Sequence, residues 1–384
     1  MMEVLHKSVS YLQNYIKEEN YRGFDPYDAL SSPLFKIPFL KANKIIRLGF
    51  QQVIKRIPVN LRQILGIRKS LNPVTIGLVI PAYAYIMQLD PSNNGLSKEV
   101  NNLLDILEKT SSKGYSGICW GYDFDWEAKY AKIPAYTPTI VATGIITNGL
   151  FESYKLLKNE RMYEMCKSAC DFINKDLNRF YEGSTFCWSY SPFDNQKVYN
   201  ATLKGARLFS QVYSIEKKNY NLLEQARQTV LFSLNSQNPD GSWSYSKGDS
   251  RVWVDNFHTG YVLDCLREYK ENSGDQAPDM SIKKGLDYYI NTFFKDNIIP
   301  KYYNNSLYPI DSTSIAQSII TLTNFNFFKI ALDIAQWSIS NMQDRDGYFY
   351  YQNHRFYTNK ISYMRWSNAW MFNALSKLLY FVGK

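Results

Sequence analysis

Apolar residues recur at helical spacing through most of this chain, in segments of about fifteen residues separated by loops dense in Trp, Tyr, Phe and Gly. Two kinds of segment alternate. Helices with one polar face are expected at 4–19, 97–112, 160–178, 221–237, 280–294 and 327–343. Each is followed by an aromatic loop and then by a segment richer in Ala, Gly, Ser and Thr. These second segments fall near 73–89, at 137–153 and 200–214, from Asp255 onward, at 311–324 and at 363–381. Small residues let such helices approach one another closely, which suits an inner layer.

The loops share a layout in which aromatic, glycine-bearing sequence delivers polar residues onto a helix start. Trp120-Gly-Tyr-Asp-Phe-Asp-Trp126, Cys187-Trp-Ser-Tyr-Ser-Pro-Phe-Asp194 and Asp255-Asn-Phe-His-Thr-Gly-Tyr261 are three instances. Taken at Trp120, Trp188, Trp243, Tyr302 and Phe349, successive loops lie 68, 55, 59 and 47 residues apart. Two helices and their connections fill such an interval, and recurrence of one loop layout marks a repeat architecture. Six hairpins closing on themselves give an all-α (α/α)6 toroid spanning 1–384 as one domain. Every outer-to-inner loop then falls on one concave face, where ligands bind.

Charge changes this picture in one place. Between residues 29 and 89 there are nine Lys or Arg and no acid, so this stretch carries the whole formal charge of +9. Its apolar residues have helix-like spacing, and the basic part, about 31–69, reads as an insertion in the first hairpin. A basic amphipathic segment fits peripheral contact with an anionic membrane. It equally fits a solvated basic face covering the ring. No nucleic-acid-reading module accompanies it, which argues against that partner. The apolar run at 74–89 is broken by Pro81 and is shorter than the roughly 20 residues of a spanning helix. With no apolar signal region at the N-terminus and an odd set of five cysteines lacking ligand spacing, a cytoplasmic protein is expected, resting at most on the inner membrane face.

The pattern resembles the six-hairpin toroid superfamily of glycoside hydrolases, polysaccharide lyases, uronyl epimerases and, more distantly, terpenoid cyclases. Gln237-Asn-Pro-Asp-Gly-Ser-Trp243 resembles the Gln-to-Gly-x-Trp repeats of the cyclases, as does Gln343-Asp-Arg-Asp-Gly-Tyr-Phe349, with Phe in place of Trp. Cys119–Trp126 together with the motifs at 254–261, 307–311 and 363–366 resembles a bacterial family found among capsule and exopolysaccharide biosynthesis proteins. That resemblance covers about 95–384. It implies a setting, polysaccharide biosynthesis, and no particular reaction or catalytic residue.

The candidate chemistry is that of sugars. Trp120, Trp126, Trp188 and Trp366, with Tyr302, offer aromatic faces for pyranose rings. Asp123, Asp125 and Glu127 alternate, so Asp123 and Asp125 share one side of an extended segment, as an acid/base pair would. The same residues suit loop hydrogen bonding. His258 and Tyr261 sit three apart at a helix start and can move a proton at the carbon beside a uronate carboxyl. His354 is a second candidate. Arg355 or Arg365 would hold the carboxylate. Asp255 and Asp311 are placed as helix caps that can also touch substrate, with Asn256 beside the first. No zinc-ligand spacing, phosphate loop, nucleophile elbow or dinucleotide fingerprint is present, so no metal or cofactor is expected.

Three readings follow. The first is an enzyme that modifies an acidic polysaccharide or lipid-linked glycan, with epimerase or lyase chemistry favoured over hydrolysis because His, Tyr and Arg concentrate in the loops. The second is a non-catalytic polysaccharide-binding or assembly factor using the same cleft. The third, a terpenoid-cyclase-like enzyme, would need a cleft walled mostly by apolar aromatics.

Overall fold

The computed structural model describes residues 1–92 and 94–383. Its helices follow the alternation read from the sequence. The first hairpin pairs α1 (Met2–Glu18) with α4 (Pro73–Leu89), and α2 (Pro38–Ala42) and α3 (Lys44–Arg56) lie between them. Then come α5 (Asn94–Lys109) with α6 (Ile140–Leu157), α7 (Glu160–Asp176) with α8 (Tyr199–Glu216), and α9 (Tyr220–Leu234) with α10 (Asn256–Ser273). The last two hairpins pair α11 (Asp279–Phe293) with α12 (Ser312–Asn324) and α13 (Phe328–Met342) with α14 (Trp370–Val382). Inner helices α4, α6, α8, α10, α12 and α14 pack each on the next, and α14 closes on α4. The chain is therefore an (α/α)6 toroid.

Polar caps set where the inner helices begin. Asn72 accepts from the Val74 amide, Thr139 from Ala142, Asp255 from His258 and Asp311 from Thr313. The second inner helix accordingly starts at Ile140, three residues later than the apolar pattern implies, because Thr139 must stay extended to cap it. The last inner helix opens with a π turn at 364–369.

Two departures from the sequence reading concern the loops. Short antiparallel pairs form inside them, at 179–182 with 185–188 and at 350–353 with 358–362. The basic insertion is also no single amphipathic helix. It runs through turns at 28–31 and 33–36 into α2 and α3, then returns irregularly to Asn72. No helix among the described residues is long and apolar enough to cross a membrane.

The inner ring is tight because of one local arrangement. Pro81 lacks an amide hydrogen, so the Gly77 carbonyl four residues back has no donor within α4. Gly149 of α6 lies against that carbonyl, where an added Cβ would be 2.0 Å from the Gly77 oxygen. A Gly149→Ala substitution should therefore force α4 and α6 apart and cost about 1–3 kcal/mol, measured by urea unfolding. Gly49, in the middle of α3 with open space around it, is the control. Gly49→Ala should gain about 0.5–1 kcal/mol from helix propensity.

Candidate active site

The aromatic loops and the first turns of α6, α8, α10 and α14 enclose a cavity of about 520 Å³ at one end of the ring. Thirteen of its twenty-eight lining residues are Phe, Tyr or Trp, making the wall more aromatic than the loop composition implies. The Asn and Asp residues of the loops mostly cap helices or bond to backbone instead. Period-two geometry explains one stretch. Tyr122, Phe124 and Trp126 face the cavity, which turns Asp123 and Asp125 to the other side. Asp123 accepts from Asn72 Nδ2 at 2.6 Å, and Asp125 from the Ala135 amide at 2.8 Å. The two acids do share a side, and it is the side away from this cavity. Glu127 does line the cavity, in a 2.7 Å ion pair with Arg47.

His258 has the most specific environment. Its Nδ1 lies 2.6 Å from Asp255 Oδ2, while Asp255 Oδ1 caps α10 through the His258 amide at 2.9 Å. Trp253 Nε1 donates to the same Oδ2 at 3.2 Å. A buried carboxylate this close requires the proton on Nδ1, which leaves the Nε2 lone pair as the basic one. The His258 side chain is 23% exposed and lines the cavity, and Nε2 has no protein partner among the described residues. Phe257 and Tyr245 hold the ring at centroid distances of 4.2 and 4.6 Å. Tyr261 lies one turn on, its ring 6.0 Å from that of His258, and burial pushes its hydroxyl well above the usual tyrosine range. It stays protonated and can only donate a proton from the neutral state.

Part of the cationic side of the cavity comes from the basic insertion. From α3, Lys55 and Arg56 line the wall, joined by Lys129, Arg251 and Arg365. The lining acids, Glu127 and Asp255, are each already held, by Arg47 and His258. Lys55 donates to the Tyr27 hydroxyl at 2.5 Å and sits 4.1 Å from the centre of that ring. Burial lowers its ammonium to about 8. Arg365 is less free than expected. Asp25 takes it in a bidentate pair at 2.6 and 2.8 Å, and its plane lies over Tyr122.

The remaining sequence candidates divide by position. Trp126, Trp366 and Tyr302 line the cavity. Asp311 lies under Trp366, accepting from its Nε1 at 3.1 Å, from Gln352 at 2.8 Å and from the Thr313 amide at 2.8 Å. Burial raises its carboxyl to about 6. Trp120 and Trp188 do not line the cavity. Both are fully buried away from the cavity, Trp120 donating to the Leu107 carbonyl and Trp188 packed on Phe186 and Phe209. They hold hairpins together, as does Trp243, which donates to the Ser233 carbonyl. Asn256 is buried too, its side-chain oxygen accepting from Tyr289 and Ser318. His354 and Arg355 sit at the tip of the 350–362 hairpin, not on the cavity wall. His354 stacks on Tyr357 at 4.4 Å and Arg355 lies over Phe356. The neighbouring tip residues Phe356 and Tyr357 are exposed.

The main residues missed are Tyr27, Lys55, Tyr190, Tyr245 and Trp370. The odd positions of the 122–126 loop, once seen as aromatic, would have indicated which face was inward. Nothing in the sequence distinguishes Lys55 from the other cations of its run.

In comparisons with known proteins, the chain matches no protein-family model and no curated protein. Solved structures are similar in fold. A sugar epimerase from a ruminal bacterium superposes with a TM-score of 0.62 at 12% identity, over 83% of this chain and 90% of that one. An α-mannanase of glycoside hydrolase family 76 from Bacteroides thetaiotaomicron gives 0.57 at 14% identity, over 82% and 86%. An unsaturated glucuronyl hydrolase specific for heparin gives 0.55 at 12% identity, over 81% and 87%. At these identities the shared property is the toroid fold.

Because Lys55 is protonated below about pH 8 and neutral above it, an anionic aromatic dye such as anilinonaphthalene sulfonate should bind the cavity more weakly as pH rises through that value. Lys55→Met should weaken binding about tenfold at pH 7 and flatten the profile, as followed by dye fluorescence.

Proposed function

We propose that this chain is a carbohydrate-active enzyme that takes an acidic glycan into the toroid cavity and moves a proton at the carbon beside a uronate carboxyl. The observation that carries this reading is His258, with Nδ1 held by buried Asp255 and Nε2 open to an aromatic, cationic cavity. Nε2 accepts the proton from carbon. The carboxylate beside that carbon is balanced by Lys55 and Arg56, which have no carboxylate within ion-pair distance among the described residues. Tyr261 is the phenol placed to return a proton. Return to the opposite face is epimerisation, whereas departure of the neighbouring glycosidic oxygen, which takes the Tyr261 proton as its bond to carbon breaks, is elimination.

Hydrolysis by paired carboxylates has less support. It needs two acids flanking the scissile bond, and the cavity's two acids are committed to Arg47 and His258. Tyr122, Trp126 and Trp366 offer stacking faces for pyranose rings. The fold is shared with structures described as epimerases and as a glucuronyl hydrolase, which supports a sugar substrate. The setting proposed from the sequence resemblance is surface-polysaccharide biosynthesis, with a polymer or its lipid-linked precursor as substrate.

The aromatic wall favours one other reading, terpenoid-cyclase-like chemistry, in which ring faces stabilise a carbocation. Lys55 and Arg56 weigh against it, because nearby positive charge raises the energy of a cationic intermediate.

The test is incubation with a panel of uronate polysaccharides in heavy water. Epimerisation puts deuterium at C5 without new ultraviolet absorbance, and elimination produces the absorbance of an unsaturated uronate. His258→Ala should lower the rate about a hundredfold to ten-thousandfold with glycan binding retained. Asp255→Asn keeps a capping side chain but removes the anionic partner, and should also lose rate while folding normally. Unchanged turnover in His258→Ala would overturn the assignment. Binding without any exchange or product across the panel would make the chain a binding factor.

A further inference from the structure

The insertion that walls the cavity presents a second surface outward. Phe39 is 69% exposed, Ile45 82% and Ile64 84%, with Leu34, Ile37, Val53 and Val59 also exposed. An apolar concentration of this kind on one segment marks a contact surface. It is also basic. Lys36, Lys41 and Arg68 are exposed and have no ion pair among the described residues, in a stretch with no acid between residues 29 and 89. Lys36, Lys41 and Arg47 of the same segment, with Lys132, line a niche of about 170 Å³ in which Asp125 is the one acidic lining residue.

The chemistry of this surface selects among occupants. A second copy would set one cationic surface against another, which charge opposes. A nucleic acid would meet the cations but leave the exposed aliphatic side chains in water. An anionic bilayer satisfies both sets, apolar tips entering the headgroup boundary and lysines meeting phosphates. Attachment would be peripheral, since no described helix is long and apolar enough to span.

We propose that residues 31–69 are a docking surface for an anionic lipid bilayer, with a headgroup phosphate in the Lys36–Lys41–Lys132 niche. Helix α3 joins the two roles, turning Leu48, Gln52, Lys55 and Arg56 to the cavity and Ile45 and Val53 outward. Docking would place the cavity beside the membrane surface, where a lipid-linked substrate would arrive. The proposal goes beyond the proton-transfer reading and does not depend on it.

The test is sedimentation of the full chain with phosphatidylcholine vesicles, with and without phosphatidylglycerol. The chain should pellet only with the anionic vesicles, and less so as salt is raised. Phe39→Glu combined with Ile64→Glu, and separately Lys36→Glu combined with Lys41→Glu, should weaken binding by about tenfold or more. Circular dichroism and dye binding in the cavity should not change. Absence of pelleting, or variants that pellet like the parent, would overturn the proposal. So would full competition by inorganic phosphate, or a dimer in light scattering that the glutamate variants dissolve. Vesicle binding is read without any glycan, so its failure leaves the cavity chemistry standing, and failure of turnover leaves the docking surface standing.

Discussion

Everything at the cavity end of this molecule depends on satisfying the amide groups that begin the inner helices. The first turn of a helix has donors with no partner inside the helix. A ring of hairpins gathers all six of these starts at one end. Asn72, Thr139, Asp255 and Asp311 cap four of them from buried positions. A carboxylate recruited as a cap has oxygens to spare, and in burial these must find donors. Asp255 uses the surplus to fix the tautomer of His258, and Asp311 to hold the Trp366 indole. The candidate catalytic group and one of the cavity-lining rings are thus placed by the same interaction that starts their helices. The converging helix dipoles add positive potential to the face that α3 already makes cationic.

The second organising element is the attachment of the basic insertion. Arg47 reaches Glu127 at 2.7 Å while Gln51 bonds both the amide and carbonyl of Glu127. Further along, Arg62 pairs with Asp28 at 2.7 Å. Breaking a buried pair leaves an uncompensated charge, so these contacts specify where α3 lies more than they add net stability. Once α3 is seated, Lys55 stands over Tyr27, and Lys55 and Arg56 join Lys129, Arg251 and Arg365 on the cavity wall.

Amphipathic period, small-residue segments and aromatic loop recurrence were enough to predict twelve toroid helices, six hairpins and a common loop face. Those signals are local, set by residues three or four apart in one helix, and the toroid is the arrangement that buries all the resulting faces. Boundaries shifted where a cap decided them, as at Thr139. The site was legible only in part. His258 was visible beside Tyr261, and Asp255 as a helix cap, because all three lie on one helix start, whereas the bond between His258 and Asp255 was found only in the structure. Trp126 and Trp366 are visible as aromatics within such loops.

What the sequence could not carry was direction. Asp123 and Asp125 alternate with Tyr122, Phe124 and Trp126, and alternation alone leaves two choices of face. Packing against the ring turned the aromatics inward and the acids outward. Trp120 and Trp188 read like their neighbours but are held in the interior by contacts across hairpins. Lys55 was one cation among nine until α3 folded over Tyr27. The sequence by itself determined the helices and their pairing, and marked His258 and Asp255 singly, because those depend on neighbours along the chain. The tertiary structure alone decided which side chains share the cavity, because that depends on contacts between residues tens to hundreds of positions apart.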